Sequence, residues 1–310
     1  MRLPNVVLVI AGLLLTVLAA ACGDDEASPE PTTEATPKPT ATKKATPEAT
    51  GGNETPEPEF QEFDAANFSQ STVIDNEWYP LAPGTKWVFE GTTTEGNEVI
   101  PHRLEFTVTD LTKEIQGVRT VVAWIEDFSD GELVEKEIAF YAQDDDGNVW
   151  YFGEHPEELA GGRVLAAPTW IAGYADAKAG IKMWADPLQP ALPLYYQGWG
   201  PAVEWSDYAQ VDQVAQETCV TTGCYTDVLV LAESSLDEFG IYQIKSYAKG
   251  VGEVQVASRG DAESIEELEL VEHTQLSPDA LAAVSALALE LEAHAYKVSK
   301  DVYGNTAPSQ

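Results

Sequence analysis

Apolar and polar residues alternate with a period of two through the middle of the chain, at 86–93, 103–110, 118–128 and 135–142, where β-branched and aromatic side chains dominate. Turn-forming residues separate these runs: Pro83-Gly84, Glu95-Gly-Asn97, Gln116-Gly117, Asp130-Gly131 and Asp146-Gly-Asn148 all tolerate positive φ. Strands this close in sequence, joined by turns this short, predict an antiparallel meander. Residues 266–274 read as a last strand. The period then changes. Ser277-Pro278-Asp279 sets a capping residue, a proline and an early acid ahead of Leu281, Val284, Leu287, Ala288, Leu291 and Ala295. That spacing predicts one amphipathic helix within 276–298, lying on the sheet and followed by a tail at 299–310. Between the two strand-rich regions, 154–187 is poor in alternation and rich in Gly, Ala and Pro. A connector of that length is expected to be functional or to cover a core.

The chain also resembles itself. Gly117 and Gly223 lie 106 residues apart, as do Thr120 and Thr226, Val122 and Val228, and Tyr141-Ala142 and Tyr247-Ala248. One residue is then lost, and Gly147-x-Val149 matches Gly252-x-Val254. The expectation is a mainly β domain over 61–275: an antiparallel curved sheet or half-barrel built from two similar units, about 78–154 and 190–258, with one C-terminal helix.

The N-terminal 60 residues follow different rules. Arg2 precedes an apolar run from Val6 to Ala21 that ends in small residues and Cys22, the pattern of a secretory signal. The run is shorter than the roughly 20 apolar residues of a membrane span, and Gly23-Asp24-Asp25-Glu26 follows it. Leu18-Ala-Ala-Ala-Cys22 resembles the lipobox of bacterial lipoproteins. The resemblance implies cleavage of 1–21, acylation of Cys22, palmitate among its chains, and a home on the outer side of a membrane in the cell envelope. Residues 22–60 are Pro, Thr, Glu, Ala and Lys with almost no large apolar side chain, which predicts a disordered stalk.

Composition narrows the function classes. There are 52 acidic against 17 basic residues, a net charge of −35, and loss of Arg2 with the leader makes it −36. Such a field repels phosphate backbones and excludes nucleic acid as a partner. With Cys22 assigned to lipid, Cys219 and Cys224 remain as a pair flanking Val-Thr-Thr-Gly, a hairpin turn. A structural disulfide is expected there.

At Phe140-Tyr-Ala-Gln-Asp-Asp-Asp-Gly-Asn-Val-Trp-Tyr-Phe-Gly-Glu154 the chain resembles a group of uncharacterised secreted bacterial proteins. The similarity continues loosely through Trp170-Ile-Ala-Gly173 and Asp186-Pro187 to Lys245-Ser-Tyr-Ala-Lys-Gly-Val-Gly-Glu-Val254. It implies no activity and no catalytic residue.

Chemistry-bearing motifs are sparse. No nucleophile elbow, zinc-protease helix or phosphate loop is present, and His102, His155, His273 and His294 are far apart in sequence. His155, between Glu154 and Pro156-Glu157-Glu158, offers a weak metal corner. Asp144, Asp146 and Asn148 present oxygens in the manner of a calcium loop, but a twelve-residue frame begun at Asp144 puts Val149 where Gly belongs and His155 where Glu belongs. Calcium is the one ion suggested, and no other cofactor is. Trp150, Glu154, Trp170, Trp184, Tyr196 and Trp199 form a candidate aromatic site for a glycan or lipid ligand. Glu154, Asp186, Glu204 and Asp207 are the acids a glycoside hydrolase would draw on. The leading expectation is a lipid-anchored, non-catalytic binding or envelope-associated module. A secreted carboxylate hydrolase and a structural or assembly protein of the envelope are the alternatives.

Overall fold

The structure is a computed structural model that describes residues 57–189, 192–238 and 240–310. The signal segment, Cys22 and the stalk up to residue 56 lie outside the described residues. In chain order the strands are β1 (Thr85–Glu95), β2 (Glu98–Ile115), β3 (Val118–Ser129), β4 (Glu132–Gln143), β5 (Val149–Ala160), β6 (Arg163–Ala166) and β7 (Trp170–Ile171). They continue with β8 (Lys178–Met183), β9 (Tyr195–Gly200), β10 (Trp205–Val220), β11 (Gly223–Ser234), β12 (Tyr242–Ala248), β13 (Gly252–Arg259) and β14 (Ser264–Gln275). Two helices, α1 (Pro278–Val298) and α2 (Lys300–Tyr303), follow.

The sheet closes. Its order runs β4-β3-β2-β1-β14-β13-β12-β11-β10-β9-β8-β5, and β5 pairs back onto β4, so twelve antiparallel strands form a barrel rather than the curved sheet or half-barrel expected. Much of the 154–187 connector belongs to the wall: β5 runs on to Ala160, β6 and β7 pair with it, and β8 bridges β5 and β9. Those strands are short or interrupted by Gly and Pro, which hides their period. Closure removes every free edge from the twelve-strand wall.

Strand bounds recur along the chain. Shifted by 106 residues, β2 falls on 204–221, against Trp205–Val220 for β10, and β3 falls on 224–235, against Gly223–Ser234 for β11. Around the wall β1 to β5 form one meander and β9 to β13 another, with β8 and β14 as the two joining strands.

Each face of the wall is buried against something different. Inward side chains such as Trp87, Phe89, Val121, Tyr141, Leu229 and Leu270 make the apolar part of the lumen. Outward ones such as Val122, Trp124, Ile138, Phe140 and Phe152 are covered by Leu291 and Ala295 of α1 and by Phe63 and Phe68 ahead of β1. This double burial turns alternation into near-continuous apolar runs in β3 and β4.

Helix α1 begins where its cap predicts, with Ser277 Oγ accepting from Ala280 N at 3.3 Å. Its docking is fixed by a fully buried ion pair: Lys113 Nζ on β2 lies 2.7 Å from Glu292 Oε1 and donates to Ala307 O at 2.6 Å. Glu292 accepts in turn from Ser309 N and Oγ, and Gln310 exchanges two backbone hydrogen bonds with Thr112. The 299–310 segment is therefore strapped to the barrel.

One barrel mouth is plugged by residues 74–81, which bury Ile74, Trp78, Tyr79 and Leu81 in the lumen core. Asn76 organises the plug. Its Oδ1 accepts from Trp78 N and Tyr79 N at 2.9 and 3.1 Å, and its Nδ2 donates to Gly147 O and Trp184 O at 2.9 and 3.1 Å. Asn76→Ala leaves four backbone groups unmatched and is expected to cost about 3 kcal/mol in urea unfolding; a loss below about 1 kcal/mol would show that the plug does not depend on this side chain.

Candidate functional site

The lumen has two unlike halves. Toward the plug it is apolar and nearly filled, leaving a cavity of about 70 Å³ bounded by Tyr79, Leu81, Trp87, Phe89, Phe106 and Glu253. That space is far below the roughly 300 Å³ at which small-molecule pockets begin. A shallower cleft of about 300 Å³ opens beside Pro80, Trp87, Gly250, His273 and Gln275. Away from the plug the lumen is polar and acidic.

Strand register builds the acidic wall. Asp127 on β3 sits directly opposite Glu135 on β4, and Glu135 directly opposite Glu158 on β5. Two residues along β4, Glu137 faces Pro156, and two further, Ala139 faces Glu154, whose other neighbour is Trp170 on β7. Carboxylates set opposite one another across paired strands repel. Glu135, Glu137 and Glu154 are buried to 6, 8 and 9% exposure, and among the described residues none of them, nor Glu158, has an ion-pair partner. Oε2 of Glu135 has no hydrogen-bond partner at all.

Burial and the neighbouring acids push these groups toward their protonated forms. Glu135 is raised well above the usual carboxyl range by burial and then by Asp127, Glu154 and Glu158; Glu137 is raised by burial, Glu154 and Glu135. Glu154 is pushed up to about 7 by burial, against the pull of Tyr151, Trp170 and Lys182. Below this wall lies an aromatic floor. Tyr141 stacks on Tyr151 at 4.8 Å, Trp170 stacks on Trp205 at 4.5 Å, and Tyr151 donates its hydroxyl to Glu154.

The opposite side of the lumen is charge-compensated. Glu233 on β11 takes both lumen ammonium groups, Lys182 at 3.2 Å and Lys245 at 2.8 Å, and accepts from Gln197 Nε2 at 3.0 Å and Tyr247 Oη at 3.1 Å. Burial would raise its pKa, but the two lysines hold it well below the usual range. Asp207, beside it, is pushed up to about 7 by burial and by Glu233. At the rim His102 lies 2.9 Å from Asp127, 3.3 Å from Glu266 and 2.9 Å from Thr93 Oγ1. Burial works against its protonation, yet Asp127 and Glu266 keep its pKa raised.

The six aromatic-site candidates do not converge. Glu154 and Trp170 share the lumen. Trp150 lies on the outer face against Phe63 and Phe68, its Nε1 bonded to Asp144 Oδ2 at 2.8 Å. Trp184 packs on Tyr195, while Phe60 stacks on Tyr196 and meets Trp199 edge-on. The N-terminal segment supplies these covers, beginning with a bridge from Glu59 to Tyr195 inside what reads as stalk.

In the acidic turn, both oxygens of Asp144 are taken by donors from Asp146 N, Asn148 N, Asn148 Nδ2 and Trp150 Nε1. Among the described residues no group of three His, Cys, Asp or Glu has metal-binding geometry. His155 is fully buried under α1, bonded through Nδ1 to Thr169 Oγ1 at 2.5 Å, with Glu157 shared between His155, His294 and Lys136. Of the four hydrolase candidates, Glu154 and Asp207 face the lumen and influence each other, whereas Asp186 and Glu204 are exposed. Cys219 and Cys224 stand opposite each other in the β10–β11 register and are joined in a disulfide. Glu135, Glu137, Lys182, Glu233 and Lys245 were not singled out from sequence. Their signal is an ionisable residue on the same alternation as inward apolar ones, as in Glu135, Glu137, Ala139 and Tyr141.

No protein-family model matches the chain, and no curated protein is similar to it. Two solved structures align over their whole length. One is a protein of Bacteroides fragilis described as exported and as having a YmcC-like fold, at 15% identity over 64% of this chain with a TM-score of 0.36. The other is a protein of Parabacteroides distasonis described as a lipoprotein, at 12% identity over 66% of this chain with a TM-score of 0.36. Likeness of that degree assigns neither fold nor function.

The raised lumen carboxyls make stability pH-dependent. Glu154 and Asp207, with Glu135, Glu137, Glu253 and Glu266 raised mainly by burial, hold their protons longer folded than unfolded, so stability falls as pH rises from about 4.5 to 7. His102, also raised, adds the same sign above about 6.5. His155 and His273, lowered by burial, oppose it below that value. The melting temperature is expected to drop by about 5 °C or more between pH 5 and pH 8 in calorimetry; a rise over that range would contradict the assignment.

Proposed function

We propose that the chain is an exported lipoprotein, anchored through acylated Cys22, whose barrel is a non-catalytic binding module with its site in the acidic half of the lumen. The observation that carries this reading is the group of inward acids on β4 and β5, Glu135, Glu137, Glu154 and Glu158, which have no ion-pair partner among the described residues, beside the stacked aromatics Tyr141, Tyr151, Trp170 and Trp205. Acids shifted by burial and by one another are a common feature of functional sites. The Cys219–Cys224 disulfide fits an oxidising compartment. Among the described residues no helix is long and apolar enough to cross a membrane. The two matching meanders further support descent of the barrel from a duplicated half.

One observation favours a second reading, carboxylate-dependent glycan hydrolysis: Glu154 and Asp207 share the lumen, both pushed up to about 7. Such an enzyme needs one carboxyl protonated and its partner ionised, whereas here both shift the same way. Binding is the better fit.

Full-length protein purified from its native membrane tests both parts of the proposal. Mass spectrometry is expected to show a leaderless chain with an acylated N-terminal cysteine, absent in Cys22→Ala, and a retained small molecule that is lost in Glu154→Gln. An intact leader in the wild type would overturn the anchor, and equal retention in Glu154→Gln would move the ligand out of the lumen.

A further inference from the structure

We propose that the barrel builds its own covalent cross-link, an isopeptide bond between Lys182 on β8 and the side-chain amide of Gln197 on β9. The inference stands apart from any lumen ligand and starts from the seam between those two strands. Their ladder holds Lys178 opposite Trp199 and Ala179 opposite Gly198, and then stops. Beyond it the backbones still press together: a Cβ on Gly180 would come within 2.3 Å of Tyr196 O and 2.5 Å of the Gln197 carbonyl carbon. Lys182 and Gln197 sit past the last rung, where side-chain bonds rather than ladder bonds join the strands.

The reacting groups are in contact and shielded from water. Lys182, Gln197 and Glu233 are 8, 0 and 1% exposed. Lys182 Nζ donates to Gln197 Oε1 at 3.3 Å, one bond from the carbon it would attack, and to both oxygens of Glu233 at 3.2 Å. Gln197 Nε2 donates to Lys182 O at 3.2 Å and to Glu233 Oε1 at 3.0 Å, which fixes the amide with its oxygen toward the ammonium group. A nucleophile, a base and an acceptor preset at such range are the conditions for acyl transfer. Glu233 takes a proton from the Lys182 ammonium, and the freed amine forms the Nζ–Cδ bond. The Cδ–Nε2 bond of Gln197 then breaks, and its nitrogen takes up the two protons lost by Lys182 and leaves as ammonium. No oxidant, reductant or further reactant is needed.

The charges favour the product. Lys182 and Lys245 share the one carboxylate of Glu233, while burial pushes the neighbouring Asp207 and Glu253 toward their neutral forms. Converting Lys182 to an amide removes the surplus cation and leaves Lys245 with Glu233 as a matched buried pair.

Mass spectrometry of the purified full-length chain tests the bond. Each measured against its own sequence, the wild type should be one ammonia lighter than Lys182→Arg and Gln197→Ala, and Glu233→Gln, which removes the base, should also lack the loss. A digest of the wild type alone gives a readout that does not depend on how the variants fold. Cleavage after aromatic residues, here Trp184, Tyr196 and Trp199, should release Lys182 and Gln197 in one branched peptide. Separate, unmodified Lys182 and Gln197 peptides from the wild type would overturn the cross-link. A branched peptide lighter by one water, joining Lys182 or Lys245 to Glu233, would overturn Gln197 as the acceptor. Full linkage in Glu233→Gln would overturn the role of Glu233.

Discussion

Pairing of β5 with β4 on one side and with β8 on the other closes the wall, and this closure governs the rest of the molecule. In an open sheet an inward acid can reach water past the edge; in a closed barrel it must be paired, solvated within the lumen or protonated. Residues 74–81 add Ile74, Trp78, Tyr79 and Leu81 to the lumen core, so one part of the lumen is filled with apolar side chains. The burial of these acids thus follows from topology and from a few inward positions, without any special loop.

The two sides of the lumen meet the same constraint differently. Around Glu233, two lysines, a glutamine and a tyrosine hydroxyl satisfy the carboxylate almost completely, as a buried ion pair requires if it is not to cost stability. Asp127, Glu135 and Glu158 instead stand in one cross-strand row with a single histidine at its end. Local rules that hold elsewhere fail in that row, and such failures mark places where a protein gives up stability for function. Lys113 with Glu292 shows that the chain buries a matched pair where only anchoring is needed.

Much of the fold was legible in the sequence. The strands from Lys86 to Ala142, their turns, the capped helix and the cysteine pair all appear where period and turn chemistry place them, because each depends on local geometry. Closure was not legible, since β5 to β8 are short, twisted and interrupted, and their pairing depends on residues far away in the chain. The covers of Trp150, Tyr196 and Trp199 were hidden for a different reason. Phe60, Phe63 and Phe68 sit in a stretch without periodicity, so nothing local says that they dock. Glu154 and Trp170 stood out by type, but their neighbours Glu135 and Glu137 are ordinary strand residues until the register across β3, β4 and β5 is known.

The central claim is that Glu135, Glu137 and Glu154 on β4 and β5 are buried together without ion-pair partners. Carboxyl carbon NMR titration of the protein with labelled glutamate reads it residue by residue. Glu135, Glu137 and Glu154 should titrate well above the free glutamate value while Glu233 titrates below it. Midpoints near the free value for all four would mean that water or unrecognised cations already solvate the wall, and the account of its burial would fail.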